Sequence, residues 1–101
     1  MVGAMHETIN VRLRHARELA ERLSARELDR LANRTEGHAN LIEVDPEARP
    51  RVDVLTSYAD VLGISLDWLV RGQGEAPRAE DVRAAVERAR GAAPLATGTG
   101  G

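Results

Sequence analysis

The sequence predicts an all-α fold, in which five helices form a compact domain and a short extra helix and a flexible tail follow. After Pro50, apolar residues recur at helical spacing on one face, at Val52, Leu55, Ala59 and Leu62. Gly63 comes directly after this stripe, where a residue with positive φ can end a helix. Ser65 can cap the next helix, and Ile64 and Leu69 have the spacing of a hydrophobic staple. These signals predict helix four over 52–62 and a short helix five after Ser65.

The first two helices are predicted from a periodic apolar face and from a capping signal. We expect helix one to run from Ile9 to Arg22, with Thr8 as its cap and its arginines on a solvated face. Its core positions would be Ile9, Leu13, Ala16, Leu19 or Ala20, and Leu23. Helix two opens at Ser24, which forms a capping box with Glu27. It stops at Asn33, a residue type that tolerates the left-handed conformation.

A third helix is expected after only about three residues, which is the spacing that a helix-turn-helix arrangement needs. Thr35 is its predicted cap and 36–43 its predicted range. A loop with two prolines covers 44–50, and a linker covers 72–77. Residues 81–90 are predicted to form a short helix with one apolar side, which consists of Val82, Ala85, Val86 and Ala89.

The predicted elements divide the chain into three parts. Residues 1–7 are a flexible N-terminus, 8–75 a helix-turn-helix domain, and 76–101 a linker, a short helix and a disordered tail from Ala96 onward. Because Met5 is a second candidate start, residues 1–4 are read as a cloning remnant. A length of 101 residues supports one domain with a small core.

Composition excludes several classes of protein. No apolar run approaches the roughly 20 residues that span a bilayer, and no signal peptide is recognisable. Without cysteine there is no disulfide framework or thiolate metal site, and the three histidines are isolated in the sequence. A Gly-rich phosphate loop and a Gly-x-Ser-x-Gly elbow are also absent. We therefore expect a cytoplasmic protein that is not an enzyme, takes no cofactor or metal and binds no membrane.

Charge is unevenly distributed along the chain. Residues 1–35 contain seven arginines and five acidic residues, whereas 36–75 contain three arginines and eight acidic residues. Binding of duplex DNA depends largely on cations that displace counterions from the phosphates. The acidic 36–75 segment therefore works against DNA binding unless its carboxylates point away from the DNA.

Short motifs occur at consistent spacing between residues 9 and 75. In chain order they are Arg12-Leu13, Arg17, Leu23-Ser24-x-x-Glu27-Leu28, Leu31-Ala32, Ile42-Glu43, Leu55, Ala59, Leu62-Gly63 and Leu66-Asp67-Trp68-Leu69. Together they make the sequence similar to the Cro/lambda-repressor (XRE) helix-turn-helix family over about two thirds of the chain. The resemblance implies a compact lambda-repressor-like domain whose third helix lies in the major groove of double-stranded DNA.

The same resemblance implies a set of DNA contacts. The phosphate contacts would be the backbone at the start of helix two and nearby arginines, namely Ser24, Ala25, Arg26, Arg49 and Arg51. The base-reading residues would be Thr35, Glu36, Gly37, His38, Asn40 and Leu41. Asn40 can pair with adenine N6 and N7, Glu36 can accept from cytosine N4, and His38 can donate to guanine or to a phosphate.

A dimeric repressor that reads a palindromic operator is also implied by the resemblance. The two copies would meet on helix five, around Trp68 and Leu69, or on the 81–90 helix, around Val82 and Val86. Trp68 is otherwise a core residue, because the chain has no aromatic series on which bases could stack.

Several departures from the family pattern keep a second interpretation open. Ala25 stands where a phosphate-binding glutamine is common, Asp29 where a small residue is expected, and Asn33 where a glycine is expected. Glu36 and Glu43 would place negative charge near the phosphates. The alternative is a repressor-like protein-interaction module, of antiactivator or antitoxin-like type, with weak or no DNA binding.

Overall fold

The protein is an all-α structure. A computed structural model describes the backbone of residues 8–98 and side chains from residue 8 to residue 91. This part of the chain contains no strand and six helices: α1 Ile9–Leu19, α2 Ala25–Leu31, α3 His38–Val44, α4 Val52–Leu62, α5 Leu66–Arg71 and α6 Ala79–Gly98. The predicted all-α class is therefore confirmed, while the predicted flexible N-terminus at 1–7 lies outside the described residues.

Serine caps and left-handed glycines set the ends of three helices, as the sequence predicted. Ser24 Oγ accepts a hydrogen bond of 3.0 Å from the Glu27 N–H at the start of α2. Ser65 Oγ accepts one of 3.1 Å from the Trp68 N–H at the start of α5. The α4 helix ends at Gly63, whose φ of 65° is accessible to glycine at little cost.

Helix α1 is shorter than predicted. It ends at Leu19 rather than at Arg22, because Glu21 and Arg22 adopt left-handed conformations with φ of 56° and 49°. This pair of residues turns the chain so that Leu23 reaches the core, where it is 3% exposed. The predicted stop of α2 is confirmed, since Asn33 has a φ of 61°.

One hydrophobic core joins α1, α4, α5 and α6 with the inner sides of α2 and α3. Its fully buried side chains include Leu13, Leu28, Leu62 and Leu69. The prediction for Val52 is wrong: it is the first residue of α4, lies before the turn that faces the core, and is 63% exposed.

Helix α6 is longer than the predicted 81–90 segment, and it packs into the core of the domain. It extends over Ala79–Gly98, so the predicted tail is helical as far as residue 98, and 99–101 lie outside the described residues. Val82, Ala85 and Val86 are at most 5% exposed within the core. An ideal Cβ added to Gly63 would lie 2.5 Å from Ala85 Cβ, so α6 packs directly on the turn after α4. The extra helix therefore belongs to the same core as the preceding five.

Candidate nucleic-acid interface

Helix α3 presents one side to the interior and the other to solvent. Ala39, Ile42 and Glu43 are at most 4% exposed, whereas Leu41 is 64% and Val44 is 56% exposed. Asn40, which lies between the buried Ala39 and the exposed Leu41 in sequence, is also exposed. We call the exposed residues Asn40, Leu41 and Val44, together with the half-buried His38, the outer face of α3.

The start of α3 differs from the prediction. The helix begins at His38, not at Glu36, and its N-terminal flank is Gly37 in a left-handed conformation with a φ of 103°. Thr35 is not the cap; its carbonyl oxygen instead accepts a 3.1 Å hydrogen bond from the His38 N–H in the preceding turn. Of the six predicted base-reading residues, Thr35, Glu36 and Gly37 therefore lie in an exposed turn, and the other three lie on the outer face of α3.

The carboxylate of Asp29 binds the backbone of this turn from the interior of the protein. Asp29 is fully buried, and its Oδ2 accepts hydrogen bonds from the Gly37 N–H at 3.0 Å and the Ala39 N–H at 3.1 Å. Its Oδ1 accepts from the Ala39 N–H at 3.2 Å and from the Tyr58 hydroxyl at 2.5 Å. The acid that is hard to bury alone is thus fully paired, and it links α2, α3 and α4.

Tyr58 is the partner of Asp29 on α4. Its side chain is fully buried. Burial, followed by the hydrogen bond to the Asp29 carboxylate, raises the pKa of the Tyr58 hydroxyl well above its ordinary value. The hydroxyl therefore stays protonated and remains a donor to Asp29.

Glu43 is withdrawn from the surface by Arg17. The Arg17 guanidinium donates from Nε to Glu43 Oε2 at 2.7 Å and from Nη2 to Glu43 Oε1 at 2.9 Å. This bond to Glu43 is the main cause of the raised pKa of Arg17. Arg17 Nη1 also donates to the Leu23 carbonyl at 2.7 Å. The expectation that Glu43 adds negative charge near DNA phosphates is therefore wrong, because its side chain is 1% exposed and paired with the Arg17 guanidinium.

Arg12 is also absent from the predicted solvated face of α1. It is 4% exposed, and its guanidinium donates to the carbonyls of Leu69 at 2.8 Å and Val70 at 2.7 Å. These bonds satisfy carbonyls at the end of α5 that have no partner within the helix. Burial lowers the pKa of Arg12. Arg12 and Arg17 are thus structural cations, and no periodicity signal distinguishes them from the exposed Arg14.

The start of α2 and the start of α3 meet around an open cleft. The cleft has a volume of about 350 Å³ and is lined by Ala25, Arg26, Glu36, Gly37 and Asn40. All five were predicted to contact DNA. Glu36 is paired with Arg26, whose Nε lies 3.3 Å away, and with Arg30, whose Nη1 lies 3.7 Å away and which does not line the cleft. The cleft itself therefore contains one arginine and one glutamate.

The two arginines after α3 lie apart from this cleft. Arg51 has a side chain that is 81% exposed, and its Nε is 3.4 Å from Asp53 Oδ1. Arg49 is exposed and lines a separate cleft of about 240 Å³ next to the first turn of α1. The structure thus brings together the predicted residues of α2 and α3, and it does not bring Arg49 or Arg51 into the same cleft.

The predicted dimer surface is wrong for all four residues assigned to it. Within a single chain Trp68 is 3%, Leu69 0%, Val82 0% and Val86 1% exposed. Their side chains fill the core between α1, α4, α5 and α6, so they are not accessible to a second copy.

Val44, in contrast, is an exposed apolar residue that the prediction missed. Its position three residues after Leu41 places it on the same side of a helix, and this spacing was a usable signal.

Comparison of the chain with family models, with curated proteins and with solved structures found no match. Among residues 8–91, no group of three or more His, Cys, Asp or Glu side chains is placed to hold a metal ion. None of the helices in the described part of the chain is both long and apolar enough to cross a bilayer.

Proposed function

We propose that this protein is a sequence-specific DNA-binding regulator that inserts the outer face of α3 into the major groove. The observation that carries the proposal is the exposure of Leu41 and Val44, at 64% and 56%, on a helix whose other side is fully buried. Neighbouring exposed apolar side chains on one short helix are typical of a contact surface. An α-helix has the width that the major groove of B-DNA accepts.

The arrangement of α2, the Asn33–Gly37 turn and α3 supports the proposal. Two short helices joined by a turn are what we expected from the resemblance of the sequence motifs to the Cro/lambda-repressor family. In that class of protein the second helix of the pair reads base edges. We therefore assign base reading to α3, and phosphate contact to the exposed arginines around it.

The residues of the outer face indicate which bases are read. Helix α3 contains no arginine or lysine, and these are the residue types that most often read guanine. Its amide side chain, Asn40, can donate to and accept from adenine, and the methyl groups of Leu41 and Val44 can contact the thymine methyl group. Glu43 is bonded to Arg17 and does not reach cytosine. We therefore expect A·T pairs at the centre of each half-site.

The electrostatic attraction to DNA phosphates would come from arginines that form surface ion pairs in the protein without DNA. Arg26 has a side chain that is 71% exposed, and Arg30 one that is 59% exposed. Exposed ion pairs contribute only about 0–1 kcal/mol, so exchange of Glu36 for a phosphate has a small cost. The two acidic residues nearest to this contact do not prevent it, since Glu43 faces the interior and Glu36 is paired.

A dimeric repressor is the form of this proposal that a palindromic operator requires. Two copies would place their α3 helices about 34 Å apart in successive major grooves. Occlusion of a promoter by such a dimer in the cytoplasm needs no catalysis or cofactor. The dimer contact would use a surface other than the four buried residues of α5 and α6.

Selection from a random duplex library, followed by fluorescence anisotropy at two salt concentrations, tests the proposal. We expect the selected site to bind with an affinity that falls steeply as salt rises. Asn40→Ala should lose about tenfold or more in affinity for that site, with residual non-specific binding unchanged. The matched control is Gln73→Ala, which removes an exposed amide from the segment after α5. Absence of any enriched sequence, or equal losses in both variants, would overturn the assignment.

A protein-interaction module is the second candidate, and the pairing of Arg26 with Glu36 favours it. In this function the exposed Leu41 and Val44 would contact a protein partner rather than thymine methyl groups. A stoichiometric partner that co-purifies with the wild type, is lost with Leu41→Ala and excludes duplex DNA would establish this candidate. Retention of selected DNA by the same preparation would exclude it.

A further inference from the structure

We infer that Asp29 is a positioning residue for the reading helix: its carboxylate on α2 caps α3 across the turn and sets where the outer face of α3 lies. The inference rests on the proposed function for its DNA-binding consequence. The cap itself is independent of DNA, since it is made of hydrogen bonds within the protein.

Helix α3 has no cap of its own. The starts of α2 and α5 are each capped by the hydroxyl of the serine that precedes the helix. The corresponding residue of α3 is Gly37, which has no side chain and makes no cap hydrogen bond. The first N–H groups of a helix need acceptors from outside that helix. The Asp29 carboxylate supplies acceptors for the Gly37 and Ala39 N–H groups from the neighbouring helix.

The conformation of Gly37 makes this long-range cap feasible. Its φ of 103° is a region that other residues rarely adopt. An ideal Cβ at Gly37 would meet no atom within 4 Å, so the requirement for glycine is conformational and not steric. In this conformation the N–H groups of residues 37 and 39 both point to Asp29.

Tyr58 completes the arrangement from α4. Its hydroxyl donates to Asp29 Oδ1 and leaves Oδ2 to the two backbone N–H groups, with Ala39 in reach of both oxygens. The carboxylate is therefore fixed between three helices. A seven-residue helix such as α3 has little stability of its own. Its position relative to α2 therefore depends on this buried centre.

Amide hydrogen exchange and DNA discrimination in two Asp29 variants test the inference. In Asp29→Ala the amides of Gly37 and Ala39 should lose protection by about tenfold or more relative to those of α4. The ratio of affinities for selected and scrambled duplex should fall by about tenfold, measured where the variant is folded. Asp29→Asn should restore both, because its amide oxygen can accept from the two N–H groups and its NH2 can donate to the Tyr58 hydroxyl.

The matched control is Asp60→Asn, an exposed carboxylate on α4, which should change neither readout. Should Asp29→Ala fail to fold, a through-hydrogen-bond scalar coupling between the amide nitrogens of residues 37 and 39 and the Asp29 carboxyl carbon decides the question in the wild type. Absence of that coupling, or unchanged protection and discrimination in Asp29→Ala, would overturn the inference. A wild type that binds no DNA would refute the proposed function alone, since the exchange and coupling measurements still judge the cap.

Discussion

Two regions of this molecule are held together by different kinds of contact. Around α2 and α3, buried charged and polar groups make the connections, through Asp29 to Tyr58 and through Glu43 to Arg17. Between α4, α5 and α6, the contacts are apolar and are made by side chains such as Leu62, Leu69 and Val86. We refer to these as the polar region and the apolar region.

The difference separates two tasks. Apolar burial is strong but non-directional. It drives the helices to pack together, but it restricts their relative orientation less than directional bonds do. Buried hydrogen bonds to charged groups are directional and costly to break. The polar region uses such bonds to fix α3 while its outer face, with Leu41 and Val44, stays in solvent. We conclude that the apolar region supports the fold and that the polar region orients the surface that we propose binds DNA.

The largest expected effect comes from near-isosteric substitutions in the two regions. Glu43→Gln should lower the free energy of unfolding by about 3–5 kcal/mol, because it leaves the Arg17 guanidinium without its buried counter-charge. Leu69→Met, which conserves volume in the apolar region, should cost less than about 1.5 kcal/mol. Urea denaturation of both variants measures the difference.

A larger loss of unfolding free energy in Leu69→Met than in Glu43→Gln would contradict the comparison of the two regions. It would mean that the apolar contacts are the more specific ones and that the Arg17–Glu43 pair adds little orientation. Similar costs for both variants would likewise contradict a division of the molecule into two kinds of region.

A smaller effect is expected where the two regions meet. Arg90 on α6 donates from Nε and Nη2 to both Glu27 oxygens on α2, at 2.9 and 3.0 Å. The hydrogen bond from Arg90 holds the pKa of Glu27 below its ordinary value. Ionised Glu27 therefore stabilises the folded state above the unfolded-state pKa of about 4.3, and this stabilisation is lost as the pH falls through the lowered folded-state value.

The excess stability of the wild type over Glu27→Gln should be constant from pH 7 to about 5.5 and should decline below about pH 4.3. Because both side chains are about a third exposed, we expect this excess to be at most about 1 kcal/mol. Thermal unfolding of the two proteins across this pH range measures it. A difference that grows as the pH falls would show that Glu27 is stabilised in its protonated form and that Arg90 does not join the regions as described.

The apolar region was the easier of the two to predict. Serine caps and glycine ends are local signals, and they located α4 and α5 correctly. Packing direction is set by the whole fold, so Val52 was wrongly placed in the core and α6 was taken for an appendage. Residue type alone did not distinguish Arg12 and Arg17 from solvated arginines, because their partners lie 57 and 26 positions away in sequence.

For the polar region, the sequence indicated some of the important residues but not the hydrogen bonds that connect them. The resemblance to the Cro/lambda-repressor family implied that Asn40 and Leu41 read bases. Both side chains are exposed, and their contact with DNA stays a prediction. The sequence indicated that Asp29 is an unusual acid. The groups that donate to its carboxylate, the N–H groups of Gly37 and Ala39 and the Tyr58 hydroxyl, lie 8, 10 and 29 positions away in sequence, and no local pattern reveals that they are close to it. Val44 was detectable from helical spacing and was overlooked.

The most direct test of the central claim is a titration of isotope-labelled protein with duplex DNA, followed by amide chemical-shift changes residue by residue. We predict that the largest changes occur at Gly37, His38, Asn40, Leu41 and Val44, in the polar region, and that the amides of α5 and of residues 79–91 in α6 change little. Largest changes in α5 or α6, or no changes at DNA concentrations that saturate non-specific binding, would contradict the assignment of DNA binding to the outer face of α3.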